Sequence, residues 1–371
     1  MKKIHILAAL AFTIAITSCK KDTITPEPEV PTPTTPSYTV PTTYSFSTVN
    51  YSGQTTRLDM VAEIKTYMNT GNTSLTVLNA QKLKDMYANV NNQFTNSALN
   101  TSGKSIKSKV LLSDQSVYET YMDNIAAAST ATTAGSNGVA GVIVSTTDAT
   151  KKYLCDANGV EWTQVIEKGI MGSLMYYQTT AYYLDALQIG NAVDNTTIIA
   201  GEGTAMEHHW DEAFGYFGAP VTAPTSTTGI RFWAKYANDR NVILNTYTDL
   251  SNAFIKGRAA ISAKDYTERD NQVTKVRDTW EKAIVGTIIS YVNTTKLKIT
   301  DDAIRNHNCS EIKGFLMNLK CNPTKKATAS EIAQLEGFLG TNYYNITVAN
   351  LDSIKNLLST IYNLDAVKNT L

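Results

Sequence analysis

The hexapeptide Glu207-His208-His209-Trp210-Asp211-Glu212 concentrates more chemistry than any other stretch of this chain. The sequence holds four histidines, and two of them stand side by side here between carboxylates. Helical spacing would set His208, Asp211 and Glu212 on one face, with His209 about a quarter-turn away. A histidine with carboxylates one turn further on can ligate a metal or hold a fixed tautomer. It can also serve as a base whose ring a carboxylate orients. The same residues equally fit a buried pair that satisfies its own polar groups between helices. Two consecutive histidines cannot share a helix face, so the His-Glu-x-x-His arrangement of zinc peptidases is not met.

A second pair, His307 and Glu311, is spaced four apart and would share a helix face, either as a simple hydrogen bond or as ligands. If the two segments meet in a bundle, His208 with Asp211 or Glu212, His307 and Glu311 would form a mixed nitrogen and oxygen site. Iron, haem or another metal would then be the cofactor to expect. Di-iron proteins build such sites inside bundles, but from Glu-x-x-His motifs that this chain lacks. Arg258 in Gly257-Arg258-Ala259-Ala260-Ile261 reads as one half of an inter-helix ion pair, with Glu281 as its candidate partner. Cys309 and Cys321 would lie ~18 Å apart on one helix, too far to bridge. Cys155 falls by a turn and Cys321 at a helix end, where it would be half-exposed. All three cysteines are expected to be free thiols.

These groups need elements to hold them. Met1-Lys2-Lys3 followed by the apolar stretch Ile4–Ile16 has the layout of a signal peptide, residues 1–18. Its end, Ile16-Thr17-Ser18-Cys19, resembles the bacterial lipobox, which makes Cys19 the expected lipidation site and a membrane the expected partner. Of nine prolines, six fall between Pro26 and Pro41, so residues 19–43 read as a Pro/Thr-rich tether that holds the domain off the membrane. Residues 44–371 would form the domain, with a subdivision near 218–230. No proline occurs from Thr42 to Ala219, which lets long helices form.

The apolar period predicts helices opening at Leu58, running through Leu83 to Val90, and following Ser113-Asp114. Another is expected from Trp162 to Leu187, and one from about Asn195 to Phe217, closed by Gly218-Ala219-Pro220. Later helices are expected over 238–262, 265–293, 299–319, 330–339 and 348–371. Val139–Val144 is the one strand-like stretch. The class is all-α, a helical bundle or two packed bundles.

With 33 Lys+Arg against 33 Asp+Glu, no basic field is offered to a phosphate backbone, and nucleic acid is not an expected partner. No apolar run after residue 18 reaches the ~20 residues that span a bilayer.

Several blocks together resemble a Bacteroidetes lipoprotein family described as a domain of unknown function, DUF4856. They are Glu161-Trp162-Thr163-Gln164, Lys168-Gly169-Ile170-Met171-Gly172, His208 through Gly218, Phe232-Trp233-Ala234-Lys235-Tyr236, Gly257 through Ile261 and Trp280-Glu281. The family is similar in outline to the imelysin-like helical proteins of iron-uptake loci. Their Gly-x-His-x-x-Glu motif would place Gly at Met206 and Glu at Asp211, so this chain departs from it at both positions. The resemblance implies an outer-membrane lipoprotein of the cell envelope that binds iron or haem, with iron-uptake proteins as partners. An imelysin-like peptidase or hydrolase, and a purely structural interaction protein, are the alternatives.

Overall fold

The computed structural model describes residues 37–371; Cys19, the signal segment and most of the tether lie outside them. Fourteen α-helices follow in chain order: α1 (Ser52–Asn69), α2 (Ala80–Ala88), α3 (Ser97–Asn100), α4 (Gln115–Ala128), α5 (Trp162–Ile170), α6 (Ala186–Ile189) and α7 (Ala205–Phe217), then α8 (Phe232–Asp239), α9 (Asn241–Leu244), α10 (Thr246–Ser262), α11 (Tyr266–Leu297), α12 (Asp302–Leu316), α13 (Ala329–Leu339) and α14 (Val348–Tyr362). Between α4 and α5, β1 (Gly141–Val144) pairs antiparallel with β2 (Lys152–Cys155), with Val142 opposite Leu154. Among the described residues the protein is all-α apart from this hairpin, in keeping with its proline-poor, helically periodic sequence. From residue 36 onward the chain forms one compact unit.

The spine is α11, 32 residues long, packed by α10, α12, α14 and α8. Helix α5 lies against α12, α4 and α1. Its continuation is wound as π-helix over Met171–Tyr176 and Gln178–Tyr183. Outside donors claim the carbonyls that an α-helical ladder would use. The Trp233 indole takes Met171 O at 2.9 Å, Leu111 N–H takes Ser173 O at 2.9 Å, and Arg277 takes Thr180 O at 2.9 and 2.7 Å. Donors inserted into the ladder widen the turn.

Several boundaries differ from the sequence expectation for local reasons. Helix α1 begins at Ser52, so Asp59 stands two turns in rather than in the first turn. Residues 195–204 are a loop, because Thr204 and Glu207 form a capping box that starts α7 at Ala205. The expected 238–262 helix breaks at Asn245, whose left-handed φ of 56° ends α9 and opens α10. Helix α14 stops at Asn363, φ 55°. Cys155, Cys309 and Cys321 are free and buried, so Cys321 is not the half-exposed thiol its helix-end position suggested. The turn after it folds back over the core, and burial pushes its thiol up to about 12.

Close approach uses glycine where α10 meets α7. A Cβ on Gly257 would overlap the Trp210 indole, which is fully buried and donates to Phe254 O at 2.9 Å. Gly257→Ala is therefore expected to destabilise the protein by about 1–3 kcal/mol through overpacking. Urea denaturation followed by Trp fluorescence would check this.

Candidate functional site

Helix α7 carries two carboxylate stripes that face different neighbours. Residues four apart lie nearly in line, while successive residues diverge by about 100°. Glu207 and Asp211 form one line, and His208 and Glu212 form the next.

The first line meets Arg258 of α10, which is 1% exposed. Its Nε donates to Asp211 Oδ1 at 3.0 Å, Nη1 to Glu207 Oε1 at 2.5 Å and to Ser262 Oγ at 2.6 Å, and Nη2 to Thr48 Oγ1 at 3.0 Å. The Tyr44 hydroxyl gives a further bond to Asp211 Oδ1, 2.6 Å, and the guanidinium lies over Phe46. Burial pushes the Asp211 carboxyl up to about 6, against the pull of Arg258 and Tyr44. Arg258 is thus half of a buried ion pair, but its partners are Asp211 and Glu207 rather than Glu281. Glu281 instead accepts from Tyr362 at 2.5 Å, Asn322 at 2.5 Å and the Lys326 N–H at 2.8 Å. The reason is register: Arg258 faces α7 across the Gly257 contact, while Glu281 faces the turn after Cys321.

The second line opens on a cleft of about 220 Å³ between α7 and the start of α1. His208 Nε2 lies 3.8 Å from Glu212 Oε2, and its Nδ1 has no hydrogen-bond partner. Glu212 Oε1 accepts from Gln54 Nε2 at 2.9 Å and from Tyr183 OH at 3.1 Å. Asn50 and Glu202, joined at 3.3 Å, also line it, as do Arg57, Lys104 and Lys109. His209 points elsewhere. Its Nδ1 lies 2.6 Å from Gln188 O, and since a carbonyl only accepts, that nitrogen carries the proton.

The sequence grouping of His208 with Asp211 is therefore corrected. Asp211 belongs to the Arg258 cluster, and only His208 and Glu212 reach the cleft. His307 and Glu311 do not join them. His307 Nδ1 bonds Glu161 Oε2 at 2.6 Å, and Nε2 lies 3.5 Å from Glu311 Oε1. The ring stacks on Tyr153 at 4.2 Å. Lys168 Nζ then links Glu311 at 3.7 Å to Glu167 at 2.6 Å, and Lys65 reaches Glu167 at 2.7 Å. The imidazole holds its two carboxylates on opposite edges. Among the described residues, no three His, Cys, Asp or Glu side chains are grouped to hold a metal ion.

The family model described as Domain of unknown function (DUF4856) matches residues 38–336. The chain belongs to the DUF4856 family. No curated protein and no solved structure matches it. The matched span of this DUF4856 chain contains both histidine clusters, whereas Tyr362, which bonds Glu281, lies on α14 beyond it.

Sequence reasoning missed Arg57, Lys104, Lys109, Gln54 and Glu202 in the cleft, and Glu161 and Lys168 beside His307. All but Glu202, in the loop just before α7, come from elements distant in the chain. Only Glu161 and Lys168 carried a signal, since both stand in blocks that resemble the family.

Two outcomes follow from the charges. Arg258→Ala leaves Asp211 and Glu207 without their cation and should cost about 3–5 kcal/mol, read from chemical denaturation. In the His307 cluster three carboxylates face Lys65, Lys168 and His307, so charge balances when His307 is protonated. Burial opposes that proton, but Glu161 and Glu311 outweigh burial and hold the His307 pKa above the usual 6.5. A raised folded-state pKa gives stability that is complete below the unfolded value and lost as pH rises through the folded one. Wild-type stability to urea should fall as pH rises from about 6.5 through that value. His307→Gln should lack this step.

Proposed function

We propose that this DUF4856 protein is a lipid-anchored binding protein of the cell envelope, held at the outer membrane through Cys19. Its ligand seat is the cleft bounded by His208 and Glu212. The observation that carries the reading is the split of α7. One stripe is consumed by Arg258, while the other lines an open, polar cavity with an imidazole and a carboxylate, both partly exposed. A purely structural pair would leave neither exposed to such a space.

The absence of an activated nucleophile among the described cysteines favours binding over hydrolysis. All three are buried, and burial raises each thiol, to about 12 for Cys309 and Cys321, so none offers a thiolate. The cleft is smaller than the 300 Å³ or so at which drug-sized pockets begin, which disfavours haem as its occupant. A role in iron acquisition would require iron to arrive as a complex with a small ligand, because His208 and Glu212 supply two donors.

The protein purified under non-denaturing conditions should carry a small molecule, seen by native mass spectrometry, that is lost in His208→Ala and Glu212→Gln. Metal content, measured in parallel, tells a chelate from a metal-free ligand. Peptidase or esterase activity that disappears with His208→Ala would replace this reading with the hydrolase.

A further inference from the structure

The charges that line the cleft select a ligand. Two are carboxylates, Glu202 and Glu212, and three are cations, Arg57, Lys104 and Lys109. None of the three cations is within ion-pair distance of a carboxylate among the described residues. Arg57 is 6% exposed and donates to the carbonyls of Ser105 at 3.0 Å and Gly53 at 3.2 Å. Its charge is buried without a counter-ion, an arrangement that costs stability unless an anion is supplied. Burial holds the Lys109 ammonium below its usual pKa, with Arg57 and Lys104 adding to the effect and Glu212 offsetting part of it.

Helix α1 begins at this cleft. It runs for 18 residues, has no side-chain cap at Tyr51 and carries no acid in its first turn. Its Ser52 N–H donates to Asn50 Oδ1 at 3.2 Å and its Gln54 N–H to Tyr51 O at 3.1 Å, so this end contributes chiefly its dipole, which favours negative charge. Ser52, Gly53 and Gln54 of that turn line the cleft. At Gly53 a Cβ would come within 3.3 Å of Lys104 Cε, so the missing side chain lets the ammonium approach the helix end.

Gln54 beneath the cleft is 1% exposed. Its Nε2 donates to Glu212 Oε1 at 2.9 Å. A carboxylate only accepts, which fixes the orientation of the amide. Gln54 Oε1 is then a buried acceptor with no donor, and His208 Nδ1 is also without a partner. Both atoms are sealed from solvent, so the groups a ligand can reach are the charged ones: hydroxyls would donate to Glu202 and Glu212, and an anionic group would pair with the three cations.

We propose that the cleft binds a small polyhydroxylated acid. Its carboxylate or phosphate is seated against Arg57, Lys104 and Lys109, and its hydroxyls donate to Glu202 and Glu212. This rests on the reading of the cleft as the ligand seat and adds the ligand's chemistry.

Calorimetric titration of the full chain in detergent tests it with four probes: gluconate, glucose 6-phosphate, inorganic phosphate and uncharged sorbitol. At least one of the two hydroxylated acids should bind about tenfold or more tightly than both sorbitol and phosphate. Which of the two binds distinguishes a carboxylate from a phosphate ligand. Lys104→Ala/Lys109→Ala should lose about tenfold or more of that affinity, and Lys104→Arg/Lys109→Arg should restore most of it, with circular dichroism confirming the fold of each. Phosphate alone binding as tightly would overturn the hydroxyl half of the proposal. Sorbitol binding that His208→Ala abolishes would keep the cleft as the ligand seat and overturn the acid. Neither acid binding, or affinity unchanged in the double alanine variant, would overturn the acid as well. The co-purified ligand and its loss in His208→Ala would then decide the seat independently.

Discussion

The burial of the Arg258 guanidinium is the constraint on which the candidate site depends. A charge withdrawn from water must be matched by charge and by hydrogen bonds in fixed directions. Here the partners come from three places in the chain: Asp211 and Glu207 on α7, Ser262 on α10, and Thr48 in the segment leading to α1. Satisfying the arginine sets the rotation of α7 about its axis. Because adjacent stripes of a helix diverge by about 100°, holding Glu207 and Asp211 toward α10 turns His208 and Glu212 toward α1. The same contact draws in Tyr44 and Phe46, so the chain leaving the tether is bound to the bundle where the cleft begins.

The second charge network has a different character. From Glu161 through His307, Glu311, Lys168 and Glu167 to Lys65, each group is neutralised by the next, and the chain of contacts joins α12, α5 and α1. No carboxylate in it is left without a cation or an imidazole. The cleft is the opposite case. Its three cations form no ion pair with its carboxylates, and its buried amide and imidazole retain unused capacity. Charges that neutralise one another hold helices together, even with Glu311 Oε2 left unbonded; unpaired charges lining an open cavity are where a ligand has something to contribute. On that ground the cleft, rather than the His307 cluster, carries the functional reading.

The π-helical run after α5 contributes to the same cleft. Its carbonyls are engaged by Trp233, Leu111 and Arg277, and it ends at Tyr183, whose hydroxyl reaches Glu212. An α-helical winding would rotate Tyr183 progressively away from α7, since each residue added to a turn changes the angle of those that follow.

The sequence by itself determined the class and most of the elements, since a proline-free stretch with helical apolar spacing can satisfy its backbone only as helices. It also singled out His208 and Glu212, because a pair four apart on a helix is a local property. It could not assign the neighbours of Asp211, which is three residues from His208 yet turned toward Arg258. Nor could it pair Arg258 with Asp211 and Glu207 instead of Glu281, or bring Glu161 to His307 across 146 residues. Which stripe of a helix faces which neighbour depends on how rigid helices rotate to bury their charges together, and that is decided only when they pack. Arg57, Lys104 and Lys109 are ordinary surface residues when read along the chain. They come to line one cleft because α1, the loop before α4 and α7 converge in three dimensions.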